Sequence, residues 1–354
     1  MLPIVIVSEN VSKNNIDSTI SEILDTFRFS VTENDYIVIK PNLCDFRSPE
    51  QGGTTDPLVI EALIKYVRKQ TSCLIAIVES DHFLATADEE FERMGYEYLR
   101  NQFENVELIN LSTDTKHRLE INGYYFKELT VSETLLKMTK YINVAKLKTH
   151  TQHRITCVLK NQFGLIARRS KKRYHPFLNE VILDLLNLFP PNISIVEGIT
   201  SMEGSGPSDG DRLETNLIIS GTEPIVTDCV AARIMGIKPR SVPAIRAAKK
   251  LGLSKLEYEF EGTIPKHHFK QIPWYSFFVR RWGFSIHKRA SNRFERKKGR
   301  AEFLSDVAAG FIVLKQGKYS TLQSGLIDRA IFWRVVKGML KRPFVRFKMK
   351  IKGF

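Results

Sequence analysis

The sequence predicts an α/β fold: a mostly parallel sheet with helices on both faces, followed by a basic, α-rich C-terminal extension. Three observations predict it. Short β-branched runs alternate with helix-length segments over the first 260 residues, the pattern of buried strands covered on both faces. Polar motifs stand where those runs end. Positive charge gathers beyond them: residues 266–300 hold eleven Lys/Arg against Glu295 alone, and residues 331–354 hold eight with no acid.

Taken in order, strands are expected at Ile4–Val7, Tyr36–Lys40, Leu74–Glu79, Val106–Ile109, Tyr141–Val144, Ile193–Glu197 and Leu217–Ser220. Each is a short apolar run rich in Val and Ile, of strand length. Helices are expected at 15–28, 57–69, 86–100, 177–189 and 224–236. Asp56-Pro57 marks one helix start, since Asp can cap and Pro at the first helical position gives up no hydrogen bond. Residues 117–131 read as a hairpin with Asn122-Gly123 at its turn.

The totals bound the rest. With 354 residues, 43% of them hydrophobic, the chain can bury one large core or two ordinary ones. Cys44, Cys73, Cys157 and Cys229 are widely spaced, which argues against a disulfide framework, a zinc knuckle or a closely ligated iron–sulfur cluster and fits a reducing cytosol. Cys157 and Cys229 are expected in the core, within helices. The Met1–Ser8 run is short for a signal peptide and reads as the first strand. No run approaches the roughly 20 apolar residues of a spanning helix. The net charge of +14 is carried by the two C-terminal stretches, and the remainder is mildly acidic. A division into residues 1–262 and 263–354 follows.

The polar motifs all fall at expected strand ends. Lys40-Pro41-Asn42 follows the second strand, and Gly52-Gly53-Thr54-Thr55-Asp56 leads into the next helix. Glu79-Ser80-Asp81 ends the third strand, Lys146-Leu147-Lys148-Thr149-His150 follows another, and Glu197-Gly198 opens a glycine-rich loop over 203–211. In an open parallel sheet the carboxyl ends line one edge, where ligands bind. A shared site at that edge is the expectation.

Those motifs also carry a resemblance. Val38–Leu43, Gly53-Thr54-Thr55, Ala145–His150, Lys160-Asn161-Gln162-Phe163-Gly164, Met202–Pro207 and Val226-Thr227-Asp228 occur in order, and over roughly residues 1–236 the chain resembles the prokaryotic domain-of-unknown-function family 362. Many members carry a ferredoxin-like insert with clustered cysteines. This chain has none, so an electron-transfer role does not carry over and no iron–sulfur cluster is expected. Locally, His150, Lys160, Gly164 and His175 are similar to the segment of lactate racemases in which a lysine holds a nickel–pincer cofactor. There the flanking histidines ligate nickel or move the substrate proton. Where that pattern has Gly-Gly before the lysine, this chain has Val158-Leu159.

The site expected from these readings acts on a small anion bearing carboxylate or phosphate. His150, Lys160 and His175 are the catalytic candidates, imidazole being the side chain that changes charge near neutral pH. Lys40, Lys146, Lys148, Asn42, Asn161, Thr54 and Thr55 are candidates for holding the anion by charge and hydrogen bonds. His150 and His175 with Glu203 and Asp209 are the candidate ligands of a divalent metal, nickel or another. His153 joins His150 on one metal only if the loop between them turns helical. The 203–211 loop lets backbone amides approach a ligand through Gly204, Gly206 and Gly210, but Glu203, Asp209 and Asp211 make it a better seat for a cation or an amine than for phosphate. Proton transfer beside a carboxylate, racemase-like, is the reaction this implies. The contrasting reading is a non-enzymatic, membrane-recruited binding or assembly protein.

The C-terminal stretches interleave aromatics with arginines at 273–284. Ile331, Phe332, Val335, Val336, Met339 and Leu340 lie on one helical face beside Arg334, Lys337, Lys341 and Arg342. An anionic membrane surface fits that pattern, which implies a cytoplasmic protein held peripherally on the inner face of the membrane. Single-stranded nucleic acid is the rival partner.

Overall fold

The computed structural model describes residues 2–43, 46–82, 84–168 and 171–271. The first half runs β1 (Ile4–Glu9), α1 (Ile16–Thr26), β2 (Tyr36–Lys40), α2 (Pro57–Arg68), β3 (Leu74–Glu79), α3 (Ala87–Arg93), α4 (Glu97–Gln102) and β4 (Val106–Asn110). A hairpin of β5 (Lys116–Glu120) and β6 (Glu128–Ser132) leads through α5 (Glu133–Lys137) into β7 (Lys140–His150), β8 (Arg154–Thr156) and α6 (Val158–Asn161). The remainder is α7 (Leu178–Leu188), β9 (Ile193–Ser205), β10 (Asp209–Gly221), α8 (Pro224–Ile234), α9 (Pro243–Lys250) and β11 (Glu259–Gly262).

The main sheet has the order β11-β1-β10-β9-β7-β2-β3-β4, with β8 pairing β7. It is mostly parallel, as expected. The exceptions are β10, antiparallel to both β1 and β9, and the short β8, antiparallel to β7. Alternation along each strand divides the core in two. Ile37, Ile39, Ile75, Ile77, Ile142 and Val144 pack with α1 and α2 on one face. Val38, Ala76, Val78, Ala145, Leu147 and Val196 pack with α7, α8 and α9 on the other.

Local chemistry explains the boundaries. Asp56 accepts a hydrogen bond from Leu58 N (3.0 Å) with Pro57 following it, so α2 starts where expected. The helix expected over 86–100 is broken instead into α3 and α4. Gly95 adopts φ +73° between them, and a left-handed residue cannot continue a helix.

Two further expectations change. Lys146–His150 is not a loop after a strand but the second half of β7, an eleven-residue strand buried almost throughout. The 203–211 segment is the tip of the long β9–β10 hairpin, where Glu203 opposes Asp211 and Ser205 opposes Asp209. Cys157 precedes α6 rather than lying in a helix, but it is buried, as Cys229 is in α8.

Residues 263–271, placed by sequence with the basic extension, pack on the α/β unit. His267 N donates to Ile234 O, Gln271 Nε2 donates to Met235 O, and Phe269 is buried. The rest of that extension, from residue 272 on, lies outside the described residues. Among the described residues no helix is long and apolar enough to cross a membrane.

Candidate functional site at the carboxyl edge of the sheet

The carboxyl ends of β2, β3, β7 and β9 do meet, and buried polar groups join them. The Lys40 ammonium, fully buried at the end of β2, donates to Glu79 Oε2 at the end of β3 (2.7 Å) and to the carbonyl of Pro41 (2.9 Å). Glu79 Oε2 also accepts from Leu43 N (3.3 Å) and Glu79 Oε1 from Ser80 N (2.9 Å). On β7, Lys146 pairs with Glu197 of β9, again with both side chains buried. Burial pushes the Glu197 carboxyl up, and Lys146 opposes that shift. Lys148 donates to the carbonyl of Gly53 (2.6 Å).

The strand period explains why β7 can bury two lysines. Lys146, Lys148 and His150 project from one face, while Ala145 and Leu147 enter the core on the other. An isolated buried ammonium would be very costly, so each has an oxygen beside it.

Asn161, at the end of α6, ties β7 to the end of β2 and the loop that follows it. Its Oδ1 accepts from Asn42 Nδ2 (3.0 Å), and its Nδ2 donates to Asn143 Oδ1 (2.8 Å) and Lys40 O (3.2 Å). Thr55 Oγ1 accepts from Asn42 N (2.9 Å) and donates to Val144 O (3.0 Å), and Thr54 Oγ1 donates to Arg47 O (3.0 Å). Seven of the residues that the sequence offers to an anion, Lys40, Asn42, Thr54, Thr55, Lys146, Lys148 and Asn161, are therefore buried and engaged with backbone or with one another. They position the loops.

The histidine cluster is different. His150 ends β7 and is 6% exposed. Its Nδ1 accepts from Gln152 N (3.0 Å) and His153 N (3.2 Å), so the neutral ring carries its proton on Nε2. Burial holds its pKa well below the usual imidazole range, and the nearby charges of Lys160 and Lys148 lower it further. His150 therefore stays neutral at physiological pH. Lys160 lies partly buried on α6 with its ammonium 4.6 Å from the centroid of the Phe163 ring. His175 packs its ring against the same phenylalanine, 5.4 Å between centroids. The structure thus brings His150, Lys160 and His175 together.

The N-terminal end of α6 is held from below. Asp228 of α8 accepts from Val158 N (2.8 Å) and Leu159 N (3.1 Å), and burial pushes its carboxyl up to about 7. By sequence Asp228 reads as a residue of its own helix start, whereas it anchors another helix.

The metal ligands expected from sequence do not gather. Glu203 accepts from Lys270 N (2.7 Å) and pairs with Lys270 Nζ (3.0 Å). Asp209 is exposed near Arg47. Among the described residues no group of three or more His, Cys, Asp or Glu could hold an ion. The nickel–pincer arrangement does not fit either. Val158 and Leu159 are fully buried where the racemase pattern has glycines, and His150 Nε2 bears a proton where a ligand needs a lone pair.

Fold and site together define an α/β protein with buried ion pairs, and a cluster of histidines around Lys160, at the carboxyl edge of its sheet. The chain belongs to the family described as Domain of unknown function (DUF362), which it matches over residues 37–233. It is 25% identical over 249 residues to the thylakoid-associated protein sll1697 of Synechocystis sp., covering 68% of this chain and 75% of that protein. It also overlaps the lactate racemase apoprotein from Thermoanaerobacterium thermosaccharolyticum with a TM-score of 0.33 and 12% identity. That overlap covers 54% of this chain and 50% of the racemase chain.

Proposed function

We propose that this protein is an enzyme acting on a small carboxylate- or phosphate-bearing anion, bound at the His150–Lys160–His175 cluster. The observation that carries the reading is the fixed state of His150: neutral, buried, with Nδ1 turned to two backbone amides. A ring so held offers Nε2–H as a preorganised donor to an anion or to charge developing on a substrate oxygen. Lys160 supplies positive charge. His175, partly exposed, is the group placed to take or return a proton. The class of reaction this supports is proton transfer beside a carboxylate or related oxyanion.

In the same reading the protein works at a membrane surface. Its support is the basic, aromatic sequence of 266–300 and 331–354, together with the description of the Synechocystis relative as thylakoid-associated. Sedimentation of the full chain with anionic vesicles at near-physiological salt is the expected result. Failure to sediment, with salt-sensitive retention on single-stranded DNA, would transfer the basic region to a nucleic-acid role.

Complementation in the host tests the enzymatic part. Lys160→Met and His175→Asn, each confirmed as folded, should abolish function. If both complement fully while deletion of residues 331–354 does not, the protein is a membrane-recruited binding or assembly factor.

A further inference from the structure

His153 holds a hydrogen-bond acceptor that nothing among the described residues uses. The residue is 1% exposed. Its Nδ1 lies 3.3 Å from the carbonyl of Ile155, which can only accept, so Nδ1 carries the ring proton and Nε2 the lone pair. That Nε2 is buried and has no hydrogen-bond partner among the described residues. Orphaned buried acceptors are uncommon, because a polar atom taken out of water without a partner is unfavourable. The ring lies 6.5 Å from that of His150, centroid to centroid, nearly perpendicular to it. Burial and the Lys160 charge push its pKa down to about 3. The acceptor therefore remains an acceptor across the physiological range and cannot satisfy itself by taking a proton from water.

A cation, a fixed donor and an unfilled acceptor thus stand in one cluster. Lys160 and His150 Nε2–H suit any oxyanion. His153 Nε2 suits only one that brings a hydrogen of its own. We propose that His153 selects anions that carry an O–H or N–H donor next to the charged group, accepting that hydrogen at Nε2, and discriminates against anions with acceptors only. The ligand class is a hydroxyl-bearing carboxylate or a protonated phosphate. This deepens the anion-binding reading above and rests on it.

Inorganic phosphate and sulfate test it on the full-length protein. At about pH 8 both are dianions of similar size, but hydrogen phosphate carries an O–H and sulfate none. Calorimetric titration should show phosphate binding tighter than sulfate by on the order of tenfold to a hundredfold, the value of one buried hydrogen bond made or left unmade. His153→Phe should remove that preference while both anions still bind. His153→Gln, which can place an amide oxygen near the Nε2 position, should keep it. Should His153→Phe fail to fold, wild type and His153→Gln decide: a phosphate preference in both supports the assignment. Equal binding of the two anions by the wild type overturns it, leaves the anion site intact and assigns the orphan acceptor to a buried water. Binding of neither anion, in wild type or variants, removes the anion-binding reading itself and this inference with it.

Discussion

Gly164 lacks a side chain where the Lys40 ammonium needs the room. A Cβ at that position would fall against Lys40 Cε and Nζ and within 2.7 Å of Glu79 Oε1. The lysine cannot swing away, because Glu79, Pro41 and Asn161 hold it in a buried site. Gly164→Ala should therefore disrupt the ion pair, at about 3–5 kcal/mol for a buried charge deprived of its partner. Gly95→Ala is the control. Nothing lies within 4 Å of a Cβ there, so only the φ of +73° opposes it, at about 1–2 kcal/mol. Denaturant midpoints of the two variants measure the difference, and similar losses would remove the packing role of Gly164.

The Lys146–Glu197 pair spans β7 and β9 with both groups out of water. Glu197→Gln leaves the ammonium buried without its counter-charge and should lower stability by about 3–5 kcal/mol. Lys146→Met combined with Glu197→Leu should recover most of that loss, since an apolar pair of similar volume bears no desolvation cost. Equilibrium unfolding of the single and double variants settles it. A double variant as unstable as the single one would show that the charges do more than fill the site.

Acid should weaken the fold through the buried His150 and His153. The His150 pKa lies well below 6.5 and that of His153 is pushed down to about 3. Below pH 6.5 the unfolded chain binds protons that the folded rings refuse, so stability falls as pH drops through that value. Each ring contributes a slope of up to about 1.4 kcal/mol per pH unit. His153→Phe should flatten one of the two contributions between about pH 6 and pH 4, the window set by those shifts. An unchanged slope in urea titrations across that window would mean that His153 is not held neutral.

Asp228 has the opposite dependence. Its folded pKa of about 7 lies above the ordinary 3.8, so its contribution is full below 3.8 and is lost as pH rises through 7. Asp228→Asn replaces one of two acceptors with a donor facing Val158 N or Leu159 N. It should cost about 1–3 kcal/mol at about pH 4 and less at about pH 8, where the wild type carries the buried charge. A gap that widens with pH would contradict the assignment. Chemical denaturation of both proteins at the two pH values measures it.

The sheet and its covering helices were legible because alternation of Val/Ile runs with amphipathic segments is a property of the chain itself. The edge where the motifs meet was legible for the same reason, through strand ends. The internal partners were not. Lys146 and Lys148 read as loop residues because lysine in a strand is burdened by its charge, and only the distant Glu197 and Gly53 carbonyl make that burial tolerable. The roles of Lys40, Asn42 and Asn161 as loop fasteners depend on contacts across 119 and 121 positions of sequence separation. His153 read as a partner for His150 on one metal, should the loop between them turn helical. The β7–β8 turn buries it instead, and no local pattern marks that. Asp228 carried a visible helix signal, attached to the wrong helix.

The proposed chemistry depends on His150 as a neutral, fixed Nε2–H donor at an anion site that includes Lys160. Ring-nitrogen NMR of the full-length protein, with phosphate titrated into wild type and Lys160→Met, reads that state. A His150 ring protonated at Nε2 alone at neutral pH and below the usual imidazole pKa is expected, with a signal that moves on adding phosphate in the wild type and stays still in Lys160→Met. A doubly protonated ring at neutral pH, an Nδ1–H tautomer, or a signal indifferent to phosphate would contradict it.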